Sequence, residues 1–211
     1  LKKGFFYKFF KYYEKVMLVN SDFIGVESKK DIVHCKEISE KSDVFHFYNW
    51  SNTLFDSTDV KSDVISDKKI NIIYGGVLGV AQDLLTFLEE METNKDVLQN
   101  FRTIIIGNGD QENEIKNLVQ NTSLDIIYLN SMTKDKYLSL VKQCQVGLVV
   151  LNKKLKANNY PGKTFDYMKY SLPIIAYLNF PNEFGEMIED NDLGYYVNER
   201  TYSLREALTN L

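Results

Sequence analysis

From Ile70 onward, short runs of β-branched apolar residues alternate with longer stretches of mixed polarity. Apolar runs that show little in-and-out alternation predict strands buried on both faces, as in a parallel sheet covered by helices. The predicted strands are Ile70–Tyr74, Thr103–Ile106, Ile126–Leu129, Val146–Val150, Pro173–Tyr177 and Tyr195–Val197. Between them, apolar positions recur at helical spacing near residues 81–93, 110–121, 134–143, 162–170 and 182–190, each stretch opening beside Gly, Asp, Thr or Pro. This succession predicts an α/β fold with a Rossmann-like, doubly wound parallel sheet, whose ligands bind at the carboxyl ends of the strands.

The leading part follows another pattern. Residues 1–19 predict a helix, Ser21–Ser28 a short strand running into a turn, residues 29–40 a second helix and Val44–Trp50 a strand. These are too few strands to close a sheet. Residues 51–67 are rich in Ser, Asp, Thr and Asn with little apolar periodicity, which predicts a linker. The predicted organisation is the end of a preceding domain over 1–50, an interdomain linker over 51–67 and a Rossmann-like domain over 68–211. With no initiator methionine and a start inside a helix at Leu1, the chain reads as a piece of a longer protein.

Composition narrows the function classes. With 211 residues, 44% hydrophobic and 26% charged, the chain buries a substantial core and is not disordered as a whole. A net charge of -4 with both signs interspersed gives no positive field for nucleic acid. Cys35 and Cys144 lie far apart without CxxC or CxxH neighbours, which argues against a disulfide framework or zinc site and for a reducing, cytoplasmic setting. No apolar run reaches the roughly 20 residues that cross a bilayer. The aromatic segment Phe5–Tyr13, interleaved with Lys8 and Lys11 and flanked by Lys2, Lys3 and Lys15, has two readings: peripheral contact at a membrane interface, or packing against a missing domain. His34 and His46 have no carboxylate, Ser or Cys at a telling sequence spacing, which points to a core or surface role for both; no serine sits in a nucleophile elbow, and no acidic cluster offers a metal cage.

Three strand-to-helix loops carry candidate chemistry. Gly75-Gly-Val-Leu-Gly79 follows the first strand of the main domain and opens the next helix, where backbone N–H groups and the helix dipole attract an anion; a tight turn alone would also call for these glycines. Gly107-Asn-Gly-Asp110 follows the second strand, with Asp110 as N-cap of the next helix and the loop facing the ligand crevice. Asn158 to Met168 runs through Pro161 and Gly162 into a helix whose first turn holds Lys163 and Asp166 on one face. A lysine at a helix N-terminus opposes the dipole unless an anion sits there, so a ligand is the favoured reading and a surface Lys163–Asp166 pair the rival.

These loops together resemble glycosyltransferase family 4, retaining enzymes of the two-Rossmann GT-B architecture, in its capsule and O-antigen type. Tyr74-Gly-Gly-Val-Leu-Gly-Val-Ala-Gln82 is similar to the family's YxGNLGxAQ loop, and Ile104-Ile-Ile-Gly-Asn-Gly-Asp110 to its IIGDG strand and turn. Val146-Gly-Leu-Val-Val-Leu151 is similar to DVGLVPL, and Tyr160-Pro-Gly-Lys-Thr-Phe-Asp-Tyr-Met168 with Ser171-Leu-Pro-Ile-Ile175 to PSKxxEYMAxGxPV. Asn20–Ser28 and Val44–Trp50 look like the stretches that end the N-terminal domain.

The resemblance implies a nucleotide-diphosphate sugar donor, a UDP-sugar foremost, held by residues 68–211. It also implies a lipid-linked or saccharide acceptor held by the other domain, no cofactor and no metal. Transfer would go with retention to a hydroxyl in bacterial cell-surface polysaccharide synthesis, in the cytoplasm or at the inner face of its membrane. Lys163 is the expected catalytic group, stabilising charge on the departing phosphate. Donor contacts are expected from Gly76, Gly79, Gly107, Asn108, Ser131, Met132, Tyr160, Gly162, Lys163, Thr164 and Asp166. Asp166 stands for the second glutamate of the family's E-x7-E element and accepts from ribose hydroxyls; Asn158 stands where the first would be. Val77 and Val80 or Ala81 stand where relatives carry diphosphate-binding Arg and Lys, which leaves more of the phosphate to Lys163 and the Gly162–Thr164 amides. The 211 residues alone are expected to bind nucleotide weakly and to turn over no substrate. A non-catalytic nucleotide or sugar-phosphate binding module of the same fold is the rival reading. A dinucleotide oxidoreductase is disfavoured because GxGxxG spacing is missing.

Overall fold

The computed structural model describes residues 4–40, 43–47, 49–50, 62–155 and 160–211. They divide into two compact units: one contains residues up to Trp50 together with Tyr160, the other runs from residue 62 to Leu211 apart from that insertion.

In the first unit, helix α1 (Phe5–Val19) leads to strand β1 (Ile24–Val26), helix α2 (Lys29–Ser39) and strand β2 (Val44–His46). The two strands pair in parallel, Ile24 opposite Val44, over a small core of Ile24, Cys35 and Val44. Ser28 caps α2 by accepting from the Asp31 amide at 3.1 Å. The second strand stops at His46, short of the predicted Trp50, and Tyr48 lies outside the described residues. So do Leu1–Lys3 of the predicted first helix, residues 51–61 of the predicted linker, and Asn158.

The second unit holds strands β3 (Ile70–Gly75), β4 (Phe101–Ile106), β5 (Ile126–Leu129), β6 (Val146–Val150), β7 (Ile174–Tyr177) and β8 (Gly194–Val197). They form one parallel sheet in the order β5-β4-β3-β6-β7-β8. Helices α3 (Leu84–Thr93), α4 (Glu112–Asn121), α5 (Lys134–Val141), α6 (Lys163–Lys169), α7 (Glu183–Asp190) and α8 (Leu204–Thr209) connect and follow them. The unbroken apolar runs form the central strands: every residue of β6 and β7 is buried, whereas edge strand β5 buries only Ile126 fully. The order reverses direction between β3 and β6, the switch point at which doubly wound sheets open a crevice.

Two contacts fix what surrounds that point, and a third braces the amino ends of the same two strands. Tyr167 of α6 lies on Gly147 of β6, where a Cβ would fall 2.3 Å from the ring, and its hydroxyl donates to Ile73 O at 3.0 Å and Leu148 O at 3.3 Å. Tyr137 of α5 lies on Gly75 in the same fashion. Asn71, buried at the start of β3, donates through its side chain to Ser66 O, Lys69 O and Gln145 Oε1, so a polar core residue is fully partnered.

Candidate functional site

At the carboxyl rim of the sheet a cavity of about 520 Å³ opens among the ends of β3, β4 and β5 and the starts of α5 and α6. The predicted Gly76, Asn108, Ser131, Met132, Gly162, Lys163 and Asp166 all line it. Gly75 and Val77 of the first glycine loop line it as well, together with Ile106, Lys134 and Tyr137, to which the sequence assigns no role in the site.

The floor is two loops laced together. Gly76 N–H donates to Ile106 O at 2.9 Å, Leu78 N–H to Asn108 O at 2.9 Å and Gln111 N–H to Leu78 O at 2.9 Å. The approach is so close that a Cβ on Gly107, at φ 159°, would fall 1.9 Å from Gly76 O. Gly107 thus shapes the floor without lining the cavity, and Tyr128 Oη donates to its carbonyl at 2.8 Å.

Lys163 stands over this floor. Its Nζ lies 3.7 Å from the centroid of the Tyr74 ring, and a Cβ on Gly76 would fall 2.9 Å from that nitrogen. Tyr74 is fully buried and held by donation of its hydroxyl to Val77 O at 2.8 Å. Lys163 is half-buried as a residue, yet burial of its ammonium among these groups lowers its pKa from 10.5 to about 7. The rival reading, a Lys163–Asp166 surface pair, does not form: Asp166, 4% exposed, takes Lys134 Nζ on Oδ2 at 2.5 Å. The cavity therefore holds two lysines and one acid, and the acid belongs to the lysine from the neighbouring helix.

Several sequence expectations are corrected here. The first glycine loop does not open a helix: Gln82 and Asp83 turn back onto Gly79 O, and α3 starts only at Leu84, so its dipole is removed from Gly76. Gly79 is buried outside the cavity, where a Cβ would make ordinary contacts with Gln82 and Val77. Asp110 does not cap α4; Gln111 holds the N-cap position. Thr164 is fully buried, with its amide given to Pro161 O at 2.9 Å, so that N–H is not offered to a ligand. Tyr160 groups with the first unit and is not part of the cavity lining.

Among the described residues, no group of three or more His, Cys, Asp or Glu is arranged to hold a metal ion, and no helix is long and apolar enough to cross a membrane.

A doubly wound sheet with a cationic cavity at its carboxyl rim defines a Rossmann-like ligand-binding domain. Residues 69–211 match the family described as glycosyl transferases group 1, and the chain belongs to that family. A search of curated protein sequences returns no match. Among solved structures, the chain is similar to a mutant of S. aureus TarM in complex with fondaparinux, α-GlcNAc-glycerol and UDP: 13% identity, TM-score 0.67, covering 94% of this chain and 39% of that one. It is similar to WaaG, a glycosyltransferase involved in lipopolysaccharide biosynthesis, at 11% identity and TM-score 0.69, covering 99% and 61%. It is also similar to the pneumococcal O-GlcNAc transferase GtfA in complex with UDP and GlcNAc, at 15% identity and TM-score 0.66, covering 94% and 39%. At these identities the likeness is one of fold, that of a Rossmann-like half of the GT-B architecture, and the chain spans 39 to 61% of the length of these three.

Proposed function

We propose that the rim cavity binds a nucleotide-diphosphate sugar, with UDP as the nucleotide, for transfer of the sugar to an acceptor hydroxyl. The observation that carries this is Lys163: a lysine without a carboxylate partner among the described residues, its ammonium held over the glycine floor at the switch point of the sheet. Desolvating an ammonium without an acid beside it is costly, and an anionic ligand offsets that cost. The family match and the UDP in the TarM and GtfA structures favour a nucleotide diphosphate as that anion.

In this reading Gly76 and Val77 face the diphosphate, Asp166 accepts from ribose hydroxyls, and the base lies against Met132 and Ser131. As the bond from the anomeric carbon to the phosphate oxygen breaks, negative charge grows on the diphosphate, and the Lys163 ammonium stabilises it in place. We assign the donor side to residues 68–211 and read residues 1–50 as the end of an acceptor-side domain. Retention, a capsule or O-antigen type of product and a place at the inner face of the cytoplasmic membrane complete the proposal; they rest on the motif resemblance.

Calorimetric titration of the chain with UDP tests it. Saturable binding that weakens about tenfold or more in Lys163→Met is expected. Failure of UDP and UDP-sugars to bind, or equal binding by Lys163→Met, would overturn the proposal.

A further inference from the structure

Within the donor-site reading, on which this inference rests, the cavity poses a charge problem. A diphosphate brings negative charge into a hollow that already contains the buried carboxylate of Asp166. Left alone beside phosphate, that carboxylate would repel the ligand, like charge against like. Lys163 does not relieve it, because its ammonium is turned onto Tyr74 and Gly76.

Lys134 is placed to do so. It is the first residue of α5 and reaches across to Asp166 in the first turn of α6, Nζ to Oδ2 at 2.5 Å. The pair is lopsided: the Lys134 side chain is 61% exposed and that of Asp166 6%, so the lysine enters from solvent to meet a carboxylate that has little water of its own. The Lys134 ammonium also lies 5.5 Å from the centroid of the Tyr137 ring, another wall of the cavity.

We infer that Lys134 is a positioning residue for the donor, the counter-ion that lets the Asp166 carboxylate share one hollow with a diphosphate. The two lysines then divide the charge: Lys134 answers Asp166, and Lys163 is left for the phosphates.

The test is a double-mutant cycle on Lys134→Met and Asp166→Asn, titrated calorimetrically with UDP and with uridine, which has the same base and ribose but no charge. Lys134→Met is expected to weaken UDP about tenfold and uridine less than twofold, and Lys134→Arg to restore UDP binding to within about threefold. In the Asp166→Asn background the same lysine substitution is expected to cost UDP less than about threefold, because no carboxylate is left to neutralise. An equal cost in both backgrounds would make Lys134 a phosphate ligand and overturn the inference. An equal loss for UDP and uridine, or no loss for either, would make it a brace between α5 and α6 and overturn it too. Failure of the donor-site reading shows separately, as absence of UDP binding by the parent chain or indifference of that binding to Lys163→Met.

Discussion

A lysine whose pKa is lowered from 10.5 to about 7 makes anion binding depend on pH with a definite sign. In the empty cavity burial disfavours the ammonium, so Lys163 is charged below about pH 7 and neutral above it. A diphosphate beside it restores the charged form, so binding above that pH takes up one proton. The dissociation constant for UDP should then rise about tenfold, or about 1.4 kcal/mol, per pH unit above 7, until the pKa of the occupied site is reached. Below about pH 7 it should be flat, apart from the ionisation of the terminal phosphate near pH 6. Titrations between about pH 6.5 and 9.5, in two buffers of different ionisation enthalpy, measure both the affinity and the proton count. Lys163→Met should bind weakly with no proton uptake. Stability carries the matching sign: the unfolded chain keeps this proton to about pH 10.5 and the folded one releases it near 7, so the empty protein gains stability across that window. The burial penalty is fully present below about pH 7, so Lys163→Met should melt higher than the parent there and lose the advantage by about pH 10.5. Equal UDP affinity at about pH 7 and 9, without proton uptake, would refute the reasoning.

Two further outcomes concern the frame of the site. Gly107→Ala drives a Cβ to 1.9 Å from Gly76 O at a φ of 159°, and should lower unfolding stability by roughly 3 kcal/mol in a urea titration; an unchanged midpoint would contradict the close approach of the two loops. Tyr167→Phe removes the hydroxyl that reaches Ile73 O and Leu148 O and should cost about 1 kcal/mol in the same assay, with a parental midpoint as the contrary result.

Much of this fold was legible because its central strands are apolar on both faces, which a linear reading detects. Val146–Val150 and Ile126–Leu129 occupy the predicted residues, and the other strands of the sheet differ by a few residues at one end. What failed did so for local reasons. Helix α3 starts at Leu84 rather than near 81 because Gln82 and Asp83 bond back to Gly79 O, a turn that the apolar Val80 and Ala81 conceal. Helix α8 has no counterpart among the predicted helices, although its start carries a readable signal, Ser203 and Glu206 three apart, which form a reciprocal capping box.

The site was legible in its parts but not in its pairing. Spacing put Lys163 and Asp166 on one helix face, and neighbours of that kind meet when neither has a better partner. Here each has one from elsewhere in the chain. The π face of buried Tyr74 receives the Lys163 ammonium, and α5 delivers a second lysine to Asp166 across 32 positions. The clue that singled out Lys163, a cation at the start of a helix, applies equally to Lys134, the first residue of α5. A helix-start lysine is thus an incomplete signal until the acids that the sheet brings beside it are known. Of two such lysines in this cavity, the one with a carboxylate is spent on the protein's own charge, and only the other is left to attract a ligand.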